Sequence, residues 1–154
     1  MNDLLSMALS DAVTEIAQTM LFTDIGIGPF EVQGNLQTAD FSAIVGYGGG
    51  LNGSLRLGGS LNASLRLAGA LLGETRESWD QELEDAFGEM ANMIAGGVQT
   101  RIEGLVGTIT LTPPMVIQGK NHQIAGQQPS HRLCRHFEID GMGFFCEIHR
   151  TDPA

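Results

Sequence analysis

The chain has 154 residues, of which 42% are hydrophobic and 17% are charged, a composition typical of a folded protein that buries one sizeable core. Its formal net charge is −10, and the first basic residue is Arg56. Because a negative surface repels phosphates, we expect neither nucleic acid nor an anionic membrane as a partner. The sequence has no apolar run of about 18 residues and no positively charged leader. We therefore expect one cytoplasmic domain over residues 1–154.

An amphipathic helix is predicted at the start of the chain, over residues 2–22. Its apolar side chains recur at helical spacing: Leu5, Ala8, Leu9, Ala12, Val13, Ile16 and Met20. Residues 23–41 mix turn residues with short apolar pieces, which indicates a loop with an edge strand. Residues 42–50 read SAIVGYGGG, and this pattern favours a strand that ends in glycine.

Nearly the same seven letters then occur twice, as LNGSLRL at residues 51–57 and LNASLRL at residues 61–67. In the first copy apolar and polar side chains alternate, which predicts a half-buried strand. The second copy follows Ser60, a good helix N-cap, and its leucines continue at helical spacing. We therefore predict a strand, a turn at Gly58 and Gly59, and a short helix.

The strongest helical pattern covers residues 78–101. One apolar stripe runs along it: Leu83, Ala86, Phe87, Met90, Ile94 and Val98. Ser78 is the predicted N-cap, and the acidic residues that follow it suit the positive end of the helix dipole. Residues 107–119 predict a strand that is interrupted at Pro113 and Pro114.

The last pattern is a β-hairpin over residues 131–150, which follows a polar loop over residues 120–130. Its two-residue turn is predicted at Asp140 and Gly141. The apolar segment MGFFCEI in this hairpin needs either the domain core or a second chain to cover it, and an edge strand here could pair two chains.

The hairpin carries both cysteines of the chain, Cys134 and Cys146. With a two-residue turn these residues lie opposite Glu147 and Arg135, respectively, so strand parity sends the thiols to opposite faces. A disulfide would need another register, and we predict two reduced thiols. The same parity keeps the cysteines and the neighbouring hairpin histidines from converging on one ion, so no metal site is expected.

A polar face runs along the long helix, opposite its apolar stripe. Asp85, Glu89 and Asn92 fall within about 60° of one another around the helix axis, and Gly88 and Gly96 share or flank this face. Each glycine costs a helix interior about 1 kcal/mol relative to alanine, but it lets another backbone approach closely. The spacing alone leaves two interpretations open, an ordinary solvated face and a docking surface.

The first helix repeats this layout. Asp11, Glu15 and Gln18 have the same spacing as the three polar residues of the long helix, and they also lie opposite an apolar stripe. Two helices with matching polar triplets suggest an internal pseudo-symmetry in which each half consists of a helix and strands.

The segment DAFGEMANMIAGGVQTRI and the later LTPPMVIQG resemble the signature of the CheC/CheX/FliY family of chemotaxis phosphatases. In that signature an acidic or serine residue, a Glu and an Asn on one long helix are followed about two dozen residues later by Pro. Asp85, Glu89 and Asn92 fit this pattern, and Pro114 lies 22 positions after Asn92. A single intact Glu-x-x-Asn is similar to CheX, because the first-helix copy ends in Gln18.

The resemblance implies an α+β fold that is pseudo-symmetric, with two long helices packed on a largely antiparallel sheet and one short helix. It also implies hydrolysis of the aspartyl-phosphate on a CheY-like receiver domain. Asn92 would orient the attacking water, Glu89 would pair with the receiver's lysine, and Asp85, Gly88 and Gly96 would form the contact surface.

Further expectations follow from the same resemblance. The chain itself would bind no cofactor, because the receiver brings its own Mg²⁺, and two copies of the chain would form a homodimer. Asp11, Glu15 and Gln18 would be a degenerate second site. The alternative is an adaptor or flagellar-switch module that binds a receiver without hydrolysing its phosphate.

Overall fold

Seven strands and three α-helices form the fold in a computed structural model that describes residues 1–125 and 130–151. The helices are α1 (Asn2–Ile16), α2 (Leu61–Leu72) and α3 (Gln81–Val106). The strands are β1 (Ile25–Val32), β2 (Ala39–Gly49), β3 (Gly53–Gly59), β4 (Ile109–Leu111), β5 (Met115–His122), β6 (Ser130–Ile139) and β7 (Met142–Thr151). This architecture confirms the α+β class with two long helices and one short helix. Within these residues, no helix combines the length and apolarity needed to cross a bilayer.

All strand pairs are antiparallel, and the order across the sheet is β1-β6-β7-β3-β2-β4, with β5 also pairing with β2. β1 is the edge strand predicted between residues 23 and 41. At the other side Pro113 and Pro114 separate β4 from β5, as predicted. The C-terminal strand β7 lies inside the sheet, so the domain core covers its MGFFCEI segment. Neither strand of the C-terminal hairpin lies at an edge of the sheet, so the expected edge strand near the C-terminus is wrong.

The two copies of the heptapeptide form a strand and a helix, as predicted. The turn expected at Gly58 and Gly59 is wrong, because both residues belong to β3. Gly58 lies opposite Phe145 of β7, and a Cβ atom at position 58 would come within 2.3 Å of that ring. Glycine is therefore required here for packing. Ser60 alone joins β3 to α2, and its side chain accepts the capping hydrogen bond at 3.2 Å.

The N-terminal helix changes its hydrogen-bonding pattern before it ends. α1 stops at Ile16, and the predicted helical stretch continues as a π-helical turn, Ala17–Leu21. This turn closes at Phe22, which has a left-handed conformation (φ 52°). Single π-helical turns are rare and are often found at functional sites.

The long helix α3 begins later and ends later than predicted. Its N-cap is Asp80 and not Ser78, because the Asp80 carboxylate accepts a 3.0 Å hydrogen bond from the amide of Leu83. The helix runs to Val106 and ends at Gly107, whose φ of 103° suits glycine.

The three helices pack on one face of the sheet and form the main core with it. Sheet residues of this face include Leu55, Leu57 and Cys146, which are fully buried. The opposite face of β3 is also covered, because Arg56 on that face is only 2% exposed. The expected half-buried strand is therefore buried on both faces.

The C-terminal hairpin has the predicted turn and register. Asp140 and Gly141 both have positive φ angles, 51° and 77°, as a two-residue hairpin turn requires. The polar loop before the hairpin starts later than predicted because β5 extends to His122. Residues 126–129 of that loop lie outside the described part of the chain.

The hairpin register places the two thiols on opposite faces. Cys134 lies opposite Glu147 and Cys146 lies opposite Arg135. Cys146 belongs to the main core, whereas Cys134 belongs to a small apolar cluster on the other face of the sheet. Both cysteines are free, which confirms the predicted reduced thiols.

Candidate functional site

Asp85, Glu89, Asn92 and Gly96 form a polar ridge along α3. The ridge spans twelve residues, from 85 to 96, which is about 16 Å of helix. Asp85 and Glu89 are exposed, and Asn92 and Gly96 are half-buried. The apolar stripe predicted on the opposite side of α3 is buried in the main core, and this packing fixes which way the ridge faces.

The polar groups of the ridge differ in whether they are already engaged. Asp85 accepts a 2.9 Å hydrogen bond from the Gln81 side chain. Glu89 and Asn92 have no hydrogen-bond or ion-pair partner within residues 1–125 and 130–151. By contrast, Glu82 at the start of the helix is paired with Arg76. One carboxylate and one carboxamide, three positions apart on the helix, are therefore available to a partner.

A hollow of about 270 Å³ lies on one side of the ridge, between α3 and β5. Its lining comprises Glu84, Asp85, Gly88, Glu89, Pro114 and Val116. Gly88 is buried, and a Cβ atom there would come within 3.3 Å of Val116 and 3.6 Å of Pro114. Gly88 thus brings α3 close to β5 of the same chain. The proline that follows the helix in sequence also borders it in space.

A second hollow of about 300 Å³ lies on the other side of the ridge, between α3 and α1. Gly96 and Met93 contribute to it from α3, and Glu15 and Ile16 contribute from α1. No heavy atom comes within 4 Å of a Cβ atom built at Gly96. Gly96, unlike Gly88, therefore presents open backbone surface.

The second predicted triplet, Asp11, Glu15 and Gln18, does not reproduce the geometry of the ridge. Asp11 and Glu15 are exposed on α1, as predicted, but Glu15 forms an ion pair with Arg101 of α3. Gln18 is exposed but belongs to the π-helical turn Ala17–Leu21, where the wider turn changes the angle between successive side chains. Sequence reasoning missed Arg101, because nothing in the local pattern marks a pair between two helices.

The ridge is equipped for orientation and charge pairing. A carboxamide oxygen accepts hydrogen bonds and its NH₂ group donates them, so Asn92 can hold a water molecule in a fixed orientation. A free carboxylate such as Glu89 pairs with a cation supplied by a partner. α3 contains no His or Cys residue, so it lacks the imidazole and thiolate ligands that transition metals commonly take.

Comparison with known proteins identifies a family. Residues 41–138 match the family described as chemotaxis phosphatase CheX, a stretch that includes Glu89, Asn92 and Pro114. No curated protein matches the chain.

Solved structures with the same fold align over nearly the whole chain. CheX from Desulfovibrio desulfuricans is 26% identical, with a TM-score of 0.85 over 96% of this chain and 99% of that one. A CheC-like superfamily protein from Shewanella sp. PV-4 is 27% identical, with a TM-score of 0.87 over 99% and 100%. A CheX–CheY–BeF₃–Mg²⁺ complex from Borrelia burgdorferi contains a chain that is 25% identical, with a TM-score of 0.79 over 95% and 97%. From the family match and the shared fold, the chain belongs to the CheX family of chemotaxis phosphatases.

Proposed function

We propose that this protein hydrolyses the aspartyl-phosphate of a CheY-like receiver domain in the cytoplasm, with Asn92 and Glu89 as the residues that act on the partner's active site. Membership of the CheX family supports the reaction class. The CheX–CheY complex from Borrelia burgdorferi supports a receiver as the partner.

The observation that carries the proposal is the free pair on the ridge. Glu89 and Asn92 lie one turn apart and are unpaired among the residues that the structure describes, whereas Glu82 and Asp85 on the same helix are engaged. A free carboxylate and a free amide on α3, between the two hollows, are what we expect of a helix that enters a partner's active site.

The reaction needs positioning more than a strong base. Asn92 accepts a hydrogen bond from a water molecule and holds it in line with the phosphorus atom. The water oxygen bonds to phosphorus while the bond from phosphorus to the aspartate oxygen breaks, which releases inorganic phosphate and the free carboxylate. The Mg²⁺ that neutralises phosphate charge belongs to the receiver, so this chain needs no bound cofactor.

Glu89 sets the register of docking. Its carboxylate pairs with the lysine of the receiver's active site in a charge-assisted hydrogen bond. This pairing also offsets the repulsion expected between a phosphorylated site and a chain whose net charge is −10. Asp85 and Gly96 extend the same contact surface along the ridge, and Gly88 forms the wall of the adjacent hollow.

The test measures release of phosphate from phosphorylated receivers of the host, with and without the protein. Asn92→Ala should lower the rate constant at saturating enzyme by about 10²- to 10³-fold, as expected for loss of a group that acts in the transition state. Asn62→Ala is the matched control, because Asn62 is an exposed asparagine on α2.

Two outcomes would overturn the proposal. Full activity of Asn92→Ala would remove Asn92 from catalysis. Tight binding of a phosphorylated receiver without faster loss of phosphate would instead identify an adaptor, the alternative interpretation of the same ridge.

A homodimer stays a prediction, and light scattering tests it. A dimer mass at micromolar concentration would support it, and a monomer mass would contradict it. The interior position of β7 leaves β1, β4 and β5 as the strands at the sheet edges through which such pairing would occur.

A further inference from the structure

Three side chains with different metal-ligand atoms meet on the face of the sheet opposite the helices. Glu31 lies on edge strand β1 directly opposite Cys134 of β6, so both side chains point to the same face. His136 is two residues after Cys134 and therefore also points to that face. These residues are separate from the polar ridge, which is built on α3.

The backbone is irregular at this position. Between Ile27 and Phe30 the pairing of β1 with β6 shifts by one residue, so that Gly28 and Pro29 together oppose His136. Such β-bulges re-aim the neighbouring side chains and are over-represented next to active sites. Here the two bulged residues lie beside His136 and line the same cavity as its side chain.

The distances between the ligand atoms suit a tetrahedral ion. Cys134 Sγ is 3.6 Å from His136 Nε2, and His136 Nε2 is 3.2 Å from Glu31 Oε2. For Zn²⁺ with bonds of about 2.3 Å to sulfur and about 2.0 to 2.1 Å to nitrogen and oxygen, tetrahedral angles give about 3.5 Å between S and N and about 3.3 Å between N and O. All three ligand atoms lie within 4.8 Å of one another. The distances from His136 Nε2 to the Cys134 sulfur and to the Glu31 oxygen are therefore already close to those of a tetrahedral zinc site.

The surroundings match a site with three protein ligands. Cys134 is 5% exposed and packs in the small cluster with Phe145, which shields the sulfur from water. A cavity of about 400 Å³ is lined by Glu31, His136 and Phe145, among others, and leaves room for a fourth ligand from solvent. The Gln37 side chain donates a 3.2 Å hydrogen bond to Glu31 Oε2, an outer contact that orients a ligating carboxylate.

We infer that Glu31, Cys134 and His136 bind one Zn²⁺ ion, with the fourth position open to the adjacent cavity. The carboxylate and the thiolate together carry two negative charges, which balance the ion. The thiol proton leaves to solvent when the bond from zinc to sulfur forms. Sulfur and imidazole ligands select a borderline-soft ion such as Zn²⁺ over Mg²⁺ or Ca²⁺.

The binding experiment uses the full chain without an affinity tag, stripped of metal and then titrated with Zn²⁺ or Co²⁺. We expect one ion per chain by native mass spectrometry. The Co²⁺ form should show a thiolate-to-cobalt charge-transfer band and the intense visible bands of tetrahedral cobalt. A spectrum without the charge-transfer band, or a stoichiometry well below one, would overturn the inference.

Variants assign the ligands. Cys134→Ser should abolish the charge-transfer band. Glu31→Gln should keep the band but weaken Zn²⁺ affinity. The loss should exceed the roughly 10- to 100-fold that follows mutation of a residue that only contacts a ligand. Glu31 is exposed, so this variant is expected to keep the fold, which circular dichroism verifies. Cys146→Ala is the matched control, because Cys146 lies on the other face of the sheet. Unchanged binding in Cys134→Ser, or loss of the band in a folded Cys146→Ala, would refute the site.

Discussion

The Arg56 guanidinium and the Glu147 carboxylate form a 2.6 Å ion pair inside the domain, with side chains that are 2% and 0% exposed. Ser42 accepts a second hydrogen bond from Arg56 at 2.9 Å, and the guanidinium lies 5.0 Å from the centre of the Phe145 ring. Burial lowers the pKa of Arg56, and the charge of Glu147 opposes this shift. The pair joins β3 to β7 on the face of the sheet that carries no helix.

Removing one partner of this pair should destabilise the domain strongly. Arg56→Met leaves Glu147 buried without its cation, and we expect a loss of about 3 to 5 kcal/mol in the free energy of unfolding. The double variant Arg56→Met/Glu147→Leu should recover most of this loss, because neither charge of the pair is then left buried without its partner. Urea unfolding measures both values.

The control for this prediction is the exposed pair between Arg66 and Asp140, whose side chains are 35% and 55% exposed. Arg66→Met should cost only about 0 to 1 kcal/mol because water screens the pair. Equal losses in Arg56→Met and Arg66→Met would show that burial does not make the inner pair important.

Replacing Glu89 should affect docking more than chemistry. Glu89→Gln keeps the shape of the side chain but removes the charge that we propose to pair with the receiver's lysine. We expect receiver affinity to fall by about tenfold, or about 1.4 kcal/mol, with little change in the rate at saturation. Phosphate release measured over a range of receiver concentrations separates the two effects.

Glu77→Gln is the control for this charge change, since Glu77 is exposed and lies outside α3. It should leave affinity unchanged. A fall in the saturated rate of Glu89→Gln with unchanged affinity would assign Glu89 a role in the chemical step instead.

The open backbone at Gly96 should be needed for docking but not for stability of the fold. Gly96→Gln puts a side chain on the ridge where nothing lies within 4 Å, and it should stabilise α3 by several tenths of a kcal/mol up to about 1 kcal/mol, because glycine is a poor helix former. The same side chain should obstruct the receiver and raise KM.

Gly104→Gln is the matched control, because Gly104 also lies on α3 with open space around it but beyond the ridge. It should raise stability similarly and leave KM unchanged. Equal effects of both substitutions on KM would place the docking surface elsewhere.

The second triplet should contribute little to hydrolysis. Glu15 is held by Arg101, and Gln18 lies in the π-helical turn, so the triplet lacks the free pair seen on the ridge. Gln18→Ala should leave the rate unchanged, both alone and in the Asn92→Ala background. Glutamine does orient water in other phosphoryl hydrolases, so residual activity that disappears only in the double variant would establish a second working site.

In the metal-free protein, the buried thiols should weaken the fold at alkaline pH. Burial raises the pKa of Cys134 and Cys146 above the ordinary value of 9.0. Below that value the thiols are protonated in both states, and their contribution to stability is fully present. As pH rises above it the unfolded thiols ionise first, so the free energy of unfolding falls by up to about 1.4 kcal/mol per pH unit for each thiol.

Urea unfolding from about pH 8 to about pH 11 tests this slope. Cys146→Ala should lower stability at every pH through lost packing, but its decline with pH should be shallower because one ionising thiol is absent. A slope identical to that of the unchanged protein would contradict the assignment to Cys146.

Local periodicity was sufficient to predict most elements of the fold. The apolar stripe of α3 follows the helical period, and the faces of Cys134 and Cys146 follow from a two-residue turn and strand parity. The ridge residues Glu89 and Asn92 were also predictable, since their spacing on one helix decides that they share a face. These inferences involve residues close in sequence, where the geometry of one element sets their relation.

Contacts between distant parts of the chain could not be read in this way. The alternation around Arg56 predicted a solvated face. That face is buried because β7 pairs with β3 and brings Glu147, which is 91 residues away in the sequence, into contact with Arg56. The helix caps illustrate the same limit, since Ser78 and Asp80 are both good cap residues and the hydrogen bond to Leu83 decides between them.

By itself the sequence determined which residues share a helix face or a strand face, because backbone geometry repeats every few residues. It thereby determined the ridge, its family resemblance and the separation of the thiols. Only the tertiary structure decided that Arg101 holds Glu15, and that Glu31 joins Cys134 and His136 where the sequence alone predicted no metal site. These groups meet because of which strands and helices pack together, and that choice depends on burial of the whole core.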